Sequence, residues 1–186
     1  MRLFAICMVV AMAMNCLTAE VSAQEPKAGE RLRLEIPDTF WMAHNQSSAK
    51  ATIREFIPEG ETVENWSTML TSLIMYDTPD ISPKTFAQNY AAFISASCEG
   101  SVFKEIEAGV ENGYDYAVWL MYCPSVPVIG KPEFNVSKVF ISKNTVYLTQ
   151  YARRQSPDEE DVAIGIGFLQ TVSLCDTRDE KRPCPE

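Results

Sequence analysis

Two consecutive hairpins in the middle of the chain constrain its fold more than any other feature. The runs SVFKEIEAG (101–109) and YDYAVWLMYC (114–123) flank Asn112-Gly113, and EFNVSKVFIS (133–142) and TVYLTQYARR (145–154) flank Lys143-Asn144. Asn-Gly is the strongest short-range hairpin signal, because a two-residue type I′ turn needs positive φ at both positions. β-branched and aromatic residues recur through the four runs, and such side chains pack well on a pleated surface. This stretch predicts four antiparallel strands.

Upstream, RLRLEIP (31–37) alternates strictly, with Leu32, Leu34 and Ile36 on one face and Arg31, Arg33 and Glu35 on the other. That pattern predicts a half-buried strand. FWMAHN (40–45) and ATIREFI (51–57), separated by the polar QSSAK, extend it into a meander. Pro58 has no N–H for a ladder and ends the third strand, and Glu59-Gly60 supplies a turn. In NWSTMLTSLIMYD (65–77) the spacing of Trp66, Met69, Leu70 and Leu73 is helical, whereas the Thr, Ile and Tyr content suits a strand over Met69–Tyr76. The expectation is a short helical turn leading into a strand.

Two helices complete the pattern. In SPKTFAQNYAAFISASC (82–98), Ser82 can cap, Pro83 suits the first helical position, and Phe86, Tyr90, Phe93 and Ile94 line one face. Ser156-Pro157-Asp158-Glu159 reads as a capping box opening EEDVAIGIGFLQTVSLC (159–175), whose acidic first turn suits the helix dipole. This helix is nearly all apolar from Val162 to Leu169 but too short to cross a bilayer, so it is expected to lie against the sheet. Gly165 and Gly167 are expected to mark close approach to that sheet, because glycine inside a helix costs about 1 kcal/mol relative to alanine. The Gly-Ile-Gly spacing lacks the rest of a nucleotide fingerprint. The fold class is α+β, an antiparallel sheet covered by helices.

The N-terminus, MRLFAICMVVAMAMNCLTAEVSAQEP, has one early positive charge, a short apolar core and small residues at Val21-Ser22-Ala23. It reads as a secretory signal peptide over residues 1–23, cleaved after Ala23. A flexible lead-in (24–30), one α+β domain (31–175) and a short tail (176–186) follow. Four cysteines lie beyond the signal: Cys98, Cys123, Cys175 and Cys184. In an exported chain an even set points to disulfides, with three connectivities open. Cys98–Cys123 is favoured because it ties a helix end to a strand end, and Cys175–Cys184 because it folds back the charged tail. A zinc site is the weaker alternative, with no Cys-x-x-Cys pair and one distant histidine. These features place the chain in the periplasm or outside the cell, with no transmembrane segment after signal removal.

The net charge of −9 and the absence of a Lys/Arg track argue against nucleic acid and anionic membranes as partners. His44 is the only histidine; it is expected to share a strand face with Phe40 and Met42, and no Gly-x-Ser-x-Gly motif accompanies it, so a structural or surface role is favoured over a catalytic base. Asp158–Asp161 lacks the alternating ligands of a calcium loop, and capping explains it better. Neither a metal nor a cofactor is expected. Tyr147, Tyr151 and Arg153 share one face of a strand, as do Tyr114, Tyr116 and Tyr122 on another. Such faces could bind a ligand, but aromatic floors beneath a covering helix are commoner. Sequons occur at Asn45, Asn65 and Asn135 and matter only in a glycosylating host.

EFIPEGETVENWSTML and KVFISKNTVYLTQYARR resemble segments in a group of uncharacterised exported proteins of Gram-negative bacteria, over roughly residues 50–155. The order of strands and helices resembles the PsbP-like α/β/α sandwich. That resemblance implies an accessory or binding module and supplies no functional residues. The preferred reading is an exported, non-enzymatic binding domain for an unknown protein or envelope ligand. The alternatives are a small secreted hydrolase with His44 as base and a structural envelope protein.

Overall fold

The computed structural model describes residues 29–185. The expected signal peptide (1–23) and residues 24–28 of the expected lead-in lie outside the described residues. The elements run β1 (Glu30–Arg33), β2 (Phe40–Ser47), β3 (Ala51–Pro58), β4 (Thr68–Met75), α1 (Pro83–Ser97), β5 (Val102–Glu111), β6 (Tyr114–Val126), β7 (Lys131–Ser142), β8 (Thr145–Arg153), α2 (Glu159–Thr171) and β9 (Ser173–Asp176). Seven strands form one antiparallel sheet in the order β2-β3-β4-β8-β7-β6-β5. Both expected hairpins are present, with positive φ at Asn112 and Gly113 in one turn and at Lys143 in the other.

Period-two alternation sorts the central strands onto two cores. Val118, Phe134, Val136, Phe140, Tyr147 and Tyr151 face α2 through Leu169. Their neighbours Ala117, Trp119, Val139, Val146 and Leu148 face α1 through Ala87 and Ala91. The sheet is therefore the middle layer of an α/β/α sandwich. Alanines on α1 let the helix sit close, and Trp119 packs between Phe86 and Tyr90 at ring distances of 6.3 and 5.7 Å. Ser82 caps α1 by accepting from Thr85 N at 3.1 Å.

α2 is capped by Asp158, which accepts from Asp161 N at 2.8 Å. Ser156 is not the cap, since its hydroxyl pairs instead with Tyr122 Oη at 3.0 Å. A Cβ on Gly165 would meet Tyr151 Cδ1 at 2.8 Å and Val136 Cγ2 at 3.1 Å, so this glycine sets how closely α2 approaches the sheet. Gly167 does not: open space surrounds it because it faces solvent. The last turn of α2 carries no basic residue of its own. Lys138, rising from β7 and almost fully buried, donates to Val172 O at 2.8 Å and Leu169 O at 3.4 Å, and pairs with Glu111 at 2.8 Å. It thus supplies the positive charge that a helix C-terminus favours.

Three further local expectations are corrected. RLRLEIP does not join the meander: only Glu30–Arg33 is a strand, and it pairs with β9 as a separate two-stranded sheet. Leu32, Leu34 and Ile36 still pack on the α2-side core. No helical turn precedes β4, because Trp66 is drawn into a small cluster with Ile57, Met69 and Ala152. The guanidinium of Arg154 lies 4.1 Å over its ring, and Glu61 accepts from Ser67 N and Oγ, each at 2.7 Å. The corner at residues 58–67 turns the chain and seals one end of the sheet. Finally, Ala43 is an extra residue in the β2–β3 ladder, where the register shifts between Met42 and His44. Such a bulge moves the following side chains to the other face. His44 therefore does not share a face with Phe40 and Met42.

Candidate functional site

A helix about 10 Å wide covers roughly two strands spaced about 4.8 Å apart. α2 rests on β7 and β8. β6 and the edge strand β5 extend beyond it, so a slot opens between them and the helix. Its larger part, about 540 Å³, has Ile106 and Leu120 on the sheet side, Val162 and Ile166 on the helix side, and Lys104, Glu105, Asp158 and Glu159 at its mouth. A smaller hollow of about 190 Å³ shares Ile106 and Ile166 with it and runs on to Glu107, Glu111, Tyr116 and Lys138. Volumes of several hundred Å³ with an apolar lining and a few polar groups are typical of ligand sites.

The polar groups at the far end are held in place. Glu107 accepts from Tyr116 Oη, and this bond, more than burial, pushes the phenol up to about 12. Lys138 Nζ lies 5.2 Å from the Tyr116 ring centroid and 4.8 Å from that of Phe140. An ammonium has three protons to donate. All three are directed at Glu111 and the carbonyls of Leu169 and the cap residue Val172, so Lys138 has none left for a ligand. At the mouth, Glu105 pairs with Lys84 at 3.2 Å.

A second concavity, about 640 Å³, lies at the end of the sheet and is polar. Its groups bind one another. Glu30 accepts from Tyr114 Oη at 3.1 Å, from Tyr147 Oη at 3.0 Å and from Ser142 Oγ. Burial, reinforced by Glu30, pushes the Tyr147 phenol up strongly and takes Tyr114 to about 12. Arg182 stacks 4.3 Å over the Tyr114 ring, while hydrogen bonds from Arg178 hold Asp176 down to about 2. Together these bonds fasten β1 and the tail to the sheet.

The residues singled out in the sequence are placed as follows. Cys98–Cys123 joins the end of α1 to β6, and Cys175–Cys184 closes the tail onto β9. Tyr147 and Tyr151 are each only 6% exposed and form the floor beneath α2, so they present no outer surface. Arg153 is turned to Asp161. Among the aromatics expected on β6, Tyr114 is buried, Tyr116 borders the smaller hollow and Tyr122 holds Ser156. His44 stands on edge strand β2 opposite Glu55. The sequon at Asn135 lies in a central strand, with its Ser137 fully buried and bonded to Asn135 itself. Ile106, Leu120, Val162 and Ile166 carry no motif. The i, i+4 pair on α2 was the available signal, but it reads equally well as burial.

Among the described residues no helix is long and apolar enough to cross a membrane. A search of curated proteins finds no match to the chain. Among solved structures, cyanobacterial PsbP (CyanoP) from Synechocystis sp. PCC 6803 is similar with a TM-score of 0.50 and 10% identity, over 81% of this chain and 95% of that one. The Ran-binding protein Mog1p of Saccharomyces cerevisiae gives 0.51 and 8%, over 82% and 98%. A point variant of Mog1 gives 0.52 and 9%, over 79% and 92%. At such identities the likeness is one of fold. A protein-family model matches residues 38–169, from just before β2 to near the end of α2. The chain belongs to that family, with a PsbP-like α/β/α sandwich as its fold.

Proposed function

We propose that the chain is an exported binding module whose partner seats in the slot between α2 and β5–β6. One observation carries this reading: a hollow of about 540 Å³ with an apolar lining lies beside a sheet edge that the helix does not reach. Groups that could have served a ligand at the end of the sheet are spent on each other, whereas Ile106, Leu120, Val162 and Ile166 still border open space. Two disulfides suit an oxidising compartment outside the cytosol. The PsbP-like neighbours agree in fold, and one of them, Mog1p, is described as binding the protein Ran.

The test uses N-phenyl-1-naphthylamine, a neutral apolar dye that fluoresces when it leaves water. The purified protein with both disulfides formed is expected to bind it with micromolar affinity. Val162→Asn, which makes the wall polar, and Val162→Trp, which fills the hollow, are each expected to reduce binding at least tenfold. Phe93 does not join Phe86, Tyr90 and Ile94 on the packed face of α1 as expected but is 73% exposed, so Phe93→Asp should leave binding unchanged. Dye binding that ignores both Val162 variants, or its complete absence, would overturn the reading. Export is tested by fractionation and intact mass. Recovery from the cytosol with residues 1–23 still attached contradicts it.

A further inference from the structure

The distribution of charge along the slot indicates what it holds, an inference that rests on the slot being the binding site. We propose that it takes an extended segment of a partner protein in which one or two large apolar side chains are flanked on both sides by lysine or arginine. α2 borders the slot from Asp158 to Gln170, which spans about 18 Å at 1.5 Å per residue. An extended chain covers that length in about five or six residues.

Along this path the chemistry changes twice. Asp158 and Glu159 mark one end, the Ile106–Leu120–Val162–Ile166 lining fills the middle, and Glu107 and Glu111 mark the other end. The positive charges do not balance the acids. Lys138 has a side chain only 4% exposed and gives its protons to Glu111 and the helix carbonyls. Among the described residues Lys104 at the mouth has no ion-pair partner, and Glu105 beside it is already paired with Lys84. A cationic residue at each end would meet a carboxylate that no cation among the described residues neutralises, Glu159 at one and Glu107, bonded only to the neutral Tyr116 phenol, at the other, with an apolar side chain between them. Anionic headgroups would meet the same acids and a chain of net charge −9. Among the described residues β5 has no strand on its outer side, so a segment can be laid in sideways along its length.

Two capped peptides serve as probes, KKLVKK and its charge-reversed form EELVEE. Each is titrated calorimetrically into the purified protein and used to displace N-phenyl-1-naphthylamine. KKLVKK is expected to displace the dye and to bind at least tenfold more tightly than EELVEE at about 50 mM salt, the gap narrowing as salt is raised. Glu107→Gln combined with Glu159→Gln keeps the polar contacts, removes two exposed charges and should cut the preference about fivefold. Ile164→Gln, on the outward face of α2, should not change it. Equal binding of the two peptides would overturn the charge assignment while leaving the slot an apolar site. Failure of both to displace a dye that does bind would overturn the peptide occupant. Failure of the dye itself falls on the underlying reading.

Discussion

Gly165 and Gly167 lie two residues apart in α2, yet alanine should act in opposite directions at the two sites. Both gain the same intrinsic term, about 1 kcal/mol for replacing glycine by alanine inside a helix. At Gly167 the new methyl meets nothing within 4 Å, so Gly167→Ala should stabilise by close to that amount. At Gly165 the methyl would lie 2.8 Å from Tyr151 Cδ1 and 3.1 Å from Val136 Cγ2, both in well-packed surroundings. Relieving such overlap typically costs 1–3 kcal/mol. After subtracting the helix term, Gly165→Ala should destabilise by about 1 kcal/mol, which separates the variants by about 2 kcal/mol. Urea unfolding followed by circular dichroism, with disulfides intact, resolves that difference as a shift in midpoint at constant slope. Tyr151→Leu should narrow it by making room. If Gly165→Ala stabilises as much as Gly167→Ala, α2 does not rest on Tyr151 and the packing argument fails.

Lys138→Met should destabilise by about 2 kcal/mol in the same assay, chiefly through the Val172 carbonyl left without its donor, since Leu169 O keeps the Val172 N–H and Glu111 is partly solvated. Replacing Cys98–Cys123 by serines should cost about 3.5 kcal/mol and replacing Cys175–Cys184 about 2.6 kcal/mol, from separations of 25 and 9 residues in the loop-entropy relation. Calorimetric melts of the two variants test that order. The raised phenols of Tyr114 and Tyr116 stabilise the fold below their unfolded value near 10, and that contribution is lost as pH rises to about 12. Alkaline unfolding should therefore steepen between pH 10 and 12, and Tyr114→Phe should flatten it. Asp176 behaves in the opposite sense: its contribution is present above about 3.8 and fades as pH falls towards 2, so Arg178→Ala should flatten the acid limb.

Much of the fold could be read in the sequence because its signals are local. Asn112-Gly113 needs only its own φ values, Ser82-Pro83 only the first turn of a helix, and the alternation through residues 114–153 only the two faces of a strand. What escaped depends on distant partners. The pairing of Glu30–Arg33 with Ser173–Asp176 joins residues 140 to 146 apart in the chain, and nothing in RLRLEIP distinguishes that partner from its neighbour FWMAHN. The bulge at Ala43 carries no marker residue, yet it moves His44 to the opposite face. Ser156 and Asp158 are both good caps, and only the position of Tyr122 decides between them. Tyr147 and Tyr151 could be read as floor or as surface until α2 was placed. The slot was illegible for a geometric reason: it exists because the sheet is wider than the helix, and width is set by strand order.

Nuclear magnetic resonance shift mapping with KKLVKK can locate the binding surface residue by residue. Perturbed amides are expected to cluster at Lys104–Glu107, Leu120 and Glu159–Ile166, leaving Glu30, Ser142 and Arg182 at the end of the sheet unchanged. Perturbations centred on Glu30 and Arg182, or spread without a cluster, would contradict a binding module built on the uncovered edge of the sheet.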